Sequence, residues 1–317
     1  MTGEIINKHT DKGKALRAAV SVGMILLLIG VAFFLSDSLG DYAREGMRLA
    51  VERVIPTTLP FMILSGMAVN LIDIDSLPIL SRGFERAFGI SRSAFGIFLI
   101  GNLTGFPIGA KMTADAYRSG RLDKESAERL LAYSDNPSFP FVIGVVGESL
   151  LGDIRLGVLL LASLGISTLL SAQLFRDKSR KMSYNRFITR QKYSFVESVK
   201  SAAASALTMT AFISFFFTLV GAVRDGIKNL AFRTLLMLPL EITGALSEVC
   251  TESTLPLPLR VALAGFALGF GGISVMLQVS AFSSEAELSM RKYFLIKICE
   301  GLVAAAVAGV VMLVIEL

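Results

Sequence analysis

The sequence predicts an all-α, polytopic membrane protein made of two related, inverted repeats with broken or re-entrant helices. Three observations carry that prediction. The 317-residue chain is 53% apolar, with a mean hydropathy of +0.64. Only 18% of it is charged, where soluble domains carry about a quarter. Two of its apolar runs are interrupted by glycine, at 101–111 and at 265–278. Glycine-interrupted segments in corresponding halves point to a transporter site near the bilayer midplane.

Composition also excludes. The single histidine, His9, lies in a polar tail, and Cys250 and Cys299 lack CxxC spacing. Neither a disulfide framework nor a metal site is expected. No Gly-x-Ser-x-Gly elbow, Walker lysine loop or His-Glu-x-x-His occurs, so no catalytic residue, no cofactor and no enzyme are expected. The net charge of +5 is spread over loops between apolar runs. That places the chain against a lipid bilayer and not on nucleic acid.

In order, residues 1–17 form a basic cytoplasmic tail, and 18–35 a first span. An amphipathic lead-in, 37–53, enters a second span at 54–72, where Pro56 and Pro60 weaken the outer end. Residues 73–92 read as a loop with Arg82, Arg86 and Arg92. The apolar run 94–100 is too short to cross alone, since a crossing helix needs roughly 20 apolar residues. It meets Gly101, Gly105, Pro107, Gly109 and then Lys111. Segment 130–151 is apolar except for Asp135-Asn136-Pro137-Ser138, and 156–175 is a span. Apolar runs 202–223, 232–249, 261–282 and 294–315 complete the chain. The organisation is a tail (1–17), a first span with repeat one (18–175), a basic loop (176–200) and repeat two (201–317).

Charge orients these segments. Residues 176–200 hold eight Lys/Arg against two acids. If 93–110 crossed fully, that loop and the basic segment 111–129 would both lie outside, against the positive-inside rule. If 93–110 enters and returns, 73–92, 111–129 and 176–200 all lie inside. Re-entry is therefore expected. If 232–249, which contains Pro239, Glu241 and Glu248, does not span, the second break opens from outside and the C-terminus is cytoplasmic. Gly101, Gly105, Phe106 and Met112 match Gly265, Gly269, Phe270 and Met276 at a constant offset of 164 positions, and we read this as the echo of the repeat.

Broken helices at membrane depth are tolerated where protein or a watery cavity surrounds them, so the polar residues beside the breaks are the candidate binding site. Substrate contacts are expected from Asn102, Gly105, Pro107, Gly109, Lys111, Asn136, Ser138, Gly271, Gly272, Ser274 and Gln278. Lys111 either meets an anionic group or snorkels to the inner interface. The glycines either admit ligand backbone contacts or serve helix packing. Glu241, Asp135 and Glu300 are acids among apolar neighbours, and intramembrane acids are functional by default, often as ion relays. H+ or Na+ is the expected coupling ion. Lys297 and Glu300, three apart, either satisfy each other or belong to the site. A homo-oligomer is left open.

The motifs 59–66 (Leu-Pro-Phe-Met-Ile-Leu-Ser-Gly), 105–111 (Gly-Phe-Pro-Ile-Gly-Ala-Lys) and 135–147, with Leu-Glu-Ile-Thr-Gly (240–244) and 269–278, resemble the sporulation integral membrane protein family known as YlbJ or SpoVV. That family lies within the nucleoside-recognition Gate domain group. The resemblance implies a secondary transporter moving dipicolinate, a small organic dianion, out of the mother cell towards the forespore, in the membrane around the forespore. Alternatives are a Gate-type transporter of nucleosides or another small solute, and a non-transporting membrane scaffold in sporulation.

Overall fold

The computed structural model describes residues 36–68, 78–176 and 194–315; the basic tail, the first span and most of the basic loop lie outside them. Among the described residues there are thirteen α-helices and no strand. Helix α1 (Ser36–Leu49) runs through a π turn, Ala50–Val54, directly into α2 (Ile55–Ala68). The wide turn sits just before Pro56 and Pro60, neither of which can donate to the helix ladder. The outer end is thus an adjusted helix and not an unwound one.

Helix α3 (Pro78–Phe88) occupies part of the expected loop 73–92. Phe84 and Phe88, four apart, are buried and stack at 4.8 Å, while Ile79 and Leu80 on the other face are exposed. Two rings one turn apart give the segment a face to bury, which the arginines mask in the sequence. The chain then bends by 108° into α4 (Phe95–Thr104). At Gly105, with φ +79°, it reverses, and α5 (Ile108–Arg118) returns alongside α4. This is the expected re-entrant hairpin.

Helix α6 (Lys124–Tyr133), started by the Asp123 carboxylate accepting from Ser126 N at 3.0 Å, runs back in and unwinds at 135–138. The chain resumes as the π-helical segment Phe141–Leu150 and returns in α7 (Ile154–Leu174). Helix α8 (Phe195–Gly226) opens with a capping box between Ser194 and Glu197. It lies antiparallel to α1: Gly46 abuts Ser214 and Phe217, Ser214 Oγ donates to Ala43 O at 2.9 Å, and the Tyr42 hydroxyl bonds Asp225.

Residues 232–249 do not span. Helices α9 (Leu230–Leu240) and α10 (Ile242–Thr251) form a second hairpin with its tip at Glu241, clamped by Arg233–Glu248 at 2.5 Å. Eleven residues rise only about 16 Å, half of the hydrocarbon core. Helix α11 (Leu257–Phe270) continues through Gly271 and Gly272, at φ +81° and +84°, into α12 (Gly272–Glu285). The pair is long and apolar enough to cross as one interrupted span, and α13 (Met290–Ile315) crosses back. The second break therefore lies in a through-going span, and α13 ends on the side of the α9–α10 hairpin, opposite the basic loop.

The 164-residue offset pairs unlike elements. Gly105 is a hairpin tip, whereas Gly269 is mid-helix against the Glu300 and Gly301 backbone, with a Cβ there only 2.8 Å from Glu300 O. Gly265 likewise abuts Ala304. Those two glycines serve α11–α13 packing.

Candidate functional site

The two hairpin tips and the two breaks meet. Thr104, Gly105 and Phe106 of the first tip, with Pro137 and Ser138 of the unwound stretch 135–138 (the first break) and Phe141 beyond it, form one side of a cavity of about 460 Å³ counted together with its open mouth. Glu241, Ile242 and Thr243 of the second tip and Ser274, Val275 and Gln278 of α12 form the other. Val54, Thr58, Met209 and Ile213 wall it from α1–α2 and α8. Segments 101–111 and 265–278, remote in sequence, are thus brought together.

Each tip is seated on the break of its own half. A Cβ on Gly105 would lie 2.8 Å from Ser138 N, and Gly101 and Gly109 both press on the Ser134 carbonyl. Gly272 faces the second tip, where a Cβ would meet Leu240 O at 3.4 Å. Glu241 caps α10 with Oε2, which accepts from Gly244 N at 2.5 Å. Among the described residues its other oxygen, Oε1, has no hydrogen-bond partner, and neither do Ser138 Oγ and Gln278 Oε1, although all three side chains are buried. Unpaired buried polar atoms are costly. Here three of them line one cavity, which is the chemistry of a site shaped for a polar guest.

The expected site residues separate into groups. Gly105, Ser138, Glu241, Ser274 and Gln278 line the cavity. Pro107 starts α5, Gly109 packs, and Gly271 and Gly272 make the break. Lys111 is turned away: its Nζ donates to Ser201 Oγ on α8 at 3.2 Å, outside the cavity lining.

Asn102, Asp135, Asn136 and Glu300 lie behind the first break in a buried network. Asn102 Nδ2 donates to Phe98 O and Tyr133 O, and Asn136 Nδ2 donates to Asn102 Oδ1 at 2.9 Å. Lys297 Nζ donates to Asn136 Oδ1 at 2.6 Å and to Glu300 Oε2 at 2.9 Å. Ser171 donates to Glu300 Oε1, and Tyr293 OH to Asp135 Oδ2 at 2.9 Å. Lys297 and Glu300 do satisfy each other, as one of the two sequence readings has it, and Lys297 also ties α13 to the break.

Sequence reasoning missed Thr104, Phe106, Phe141 and Thr243 in the lining, and Tyr293 and Ser171 in the network. Tyr293, Lys297 and Glu300 stand at i, i+4 and i+7, a polar stripe on an otherwise apolar helix; that spacing was the available signal. The lining aromatics carry none, since Phe106 and Phe141 look like any membrane phenylalanine.

A helical chain whose described residues include four helices long and apolar enough to cross, a further pair bent as in a broken span or a re-entrant loop, and a cavity between hairpin tips is a multi-pass integral membrane protein. No family model and no solved structure matches it. Against curated proteins it is 24% identical over 309 residues, covering 84% of this chain and 75% of the relative, to sporulation integral membrane protein YlbJ of Bacillus subtilis (strain 168). The resemblance read from the motifs is borne out at a distance: the chain is similar to this sporulation integral membrane protein at 24% identity.

Proposed function

We propose that this chain is a secondary transporter acting in sporulation, and that it passes dipicolinate from the mother cell towards the forespore. The observation that carries the transporter reading is the convergence of Ser138, Glu241 and Gln278 on one cavity, each with an unpartnered polar atom and each from a different interrupted element. The element order supports inverted repeats. A long helix, a hairpin, a broken span and a final span occur in α1–α7 and again in α8–α13, with the hairpins entering from opposite sides. Sporulation and the substrate come from the relative's name and the motif resemblance.

Dipicolinate is flat and doubly anionic. Gly105 brings bare backbone to the cavity, beside Phe106 and Phe141, which suits a ring. Helices α5 and α12 both begin at the site without a side-chain cap, so their positive ends favour an anion. The free oxygen of Glu241 opposes one. A coupled H+ or Na+ at Glu241 resolves the conflict, because its charge is neutralised when the cation and the anion travel together.

A second reading follows from a specific observation: among the described residues, no lysine or arginine lines the cavity. A neutral, hydrogen-bonding solute such as a nucleoside, as the Gate group resemblance implies, would need none. The test is the dipicolinate content of spores of Bacillus subtilis lacking its own YlbJ and expressing this chain. Restored content that is lost again in Glu241→Gln, at equal membrane levels, supports the first reading. Unrestored content, with uridine uptake by the purified chain in proteoliposomes, selects the second.

A further inference from the structure

Behind the first break, apart from the cavity lining, lies a buried cluster whose charges do not balance. Asp135 and Lys297 are each 1% exposed and Glu300 is fully buried. Lys297 and Glu300 neutralise each other at 2.9 Å. That leaves Asp135, whose Oδ2 accepts from the Tyr293 hydroxyl while Oδ1 has no hydrogen-bond partner among the described residues. The other titratable groups nearby are Tyr133, two residues earlier, whose buried hydroxyl has no partner among the described residues, Cys299 beside Glu300 on α13, and Arg129. The Arg129 guanidinium points away, to the Phe88 and Gly89 carbonyls. Ser171 and Asn136 complete the surroundings as neutral partners. Two carboxylates thus share one ammonium in a place water does not reach. A buried unpaired charge is among the most costly features a fold can hold.

We propose that this cluster is a site for one monovalent positive charge, bound at Asp135 Oδ1 and counted against Lys297. It rests on the transporter reading only for its use. Asp135 and the cavity residue Ser138 bracket the four unwound residues at the first break, so loading the cluster changes the charge of the segment on which the first hairpin tip sits. The carrier is either a proton or a sodium ion, and the shared requirement is one added positive charge.

The charge count makes the test specific. The detergent-purified full chain, without any solute, is melted across pH at fixed Na+ and across Na+ at fixed alkaline pH. A ligand that binds only the folded state raises Tm by mass action, here by about 2–4 °C for a tenfold excess. Wild type is expected to gain stability as the carrier is supplied: a response to acid alone identifies the proton, and a response to Na+ at constant pH identifies sodium. Asp135→Asn and Glu300→Gln are each expected to remove that response, because either one brings the count to zero while keeping hydrogen-bonding groups in place. A wild-type response retained in both variants, or no wild-type response to either carrier, overturns the proposal. Should one variant fail to fold, the other still decides. No solute is present, so the result is independent of whether dipicolinate or any other solute is carried.

Discussion

Gly105 and Ser138 touch where the first hairpin tip meets the first break: a Cβ on Gly105 would stand 2.8 Å from the Ser138 amide nitrogen, and Gly105 holds φ at +79°. Both facts demand glycine. Gly105→Ala is therefore expected to cost about 1–3 kcal/mol through backbone strain and overpacking, read as a lowered Tm of the purified protein. Gly144, with open space around its Cβ position, is the control. Gly144→Ala is expected to leave Tm unchanged or raise it.

Lys111 follows the tip in sequence but bonds Ser201 on α8. Lys111→Ala is expected to leave the KM for solute uptake unchanged and to cost about 1 kcal/mol of stability from the lost hydrogen bond. Uptake kinetics beside a melting curve separate these two effects.

Glu241 does two jobs with its two oxygens. In Glu241→Gln an amide oxygen can still cap α10, so stability should hold while the dependence of uptake on pH or Na+ weakens to the part carried by Asp135. In Glu241→Ala the cap is lost as well, at about 1 kcal/mol. Comparing the pH and Na+ profiles of uptake in the two variants with their Tm values tests the division.

Lys297 bridges Asn136 and Glu300 in a fully buried setting. Lys297→Met leaves two acids without a counter-charge and is expected to destabilise by about 3–5 kcal/mol. Adding Glu300→Gln should recover much of that loss, since the pair can be removed together more cheaply than singly. Thermal melts of the single and double variants check the recovery.

The fold was legible where polarity and the bilayer conflict. The basic charge of 176–200 forces 93–110 to turn back, and the structure has that hairpin. Glycines at 105 and 271–272 mark a tip and a break because no other residue sits comfortably at those dihedrals. What stayed hidden is register and direction. Gly265 and Gly269 share the spacing of the first stretch, yet they pack against α13, because a small residue serves close helix approach and chain reversal equally well. Helix α3 was masked by its exposed arginines, which flank a buried Phe84–Phe88 face. Lys111 misled for a related reason: a flexible four-carbon stem reaches several neighbours, and sequence does not say which. Of the site, the polar residues at the breaks were visible, while their division into a cavity lining and a buried charge network depends on how α13 is rotated, which the packing of Gly265 on Ala304 and of Gly269 on Glu300 and Gly301 fixes.

The central claim is that a solute sits between the two tips, against Ser138, Glu241 and Gln278. It is tested most directly by uptake of labelled dipicolinate and of labelled uridine into proteoliposomes of wild type and of Gln278→Ala, reconstituted at equal density. The account predicts saturable uptake of one of them by wild type and a fall of about tenfold in its kcat/KM in the variant, the loss of roughly one good polar contact. Uptake of neither solute by wild type, or the same kcat/KM in the variant, would contradict it.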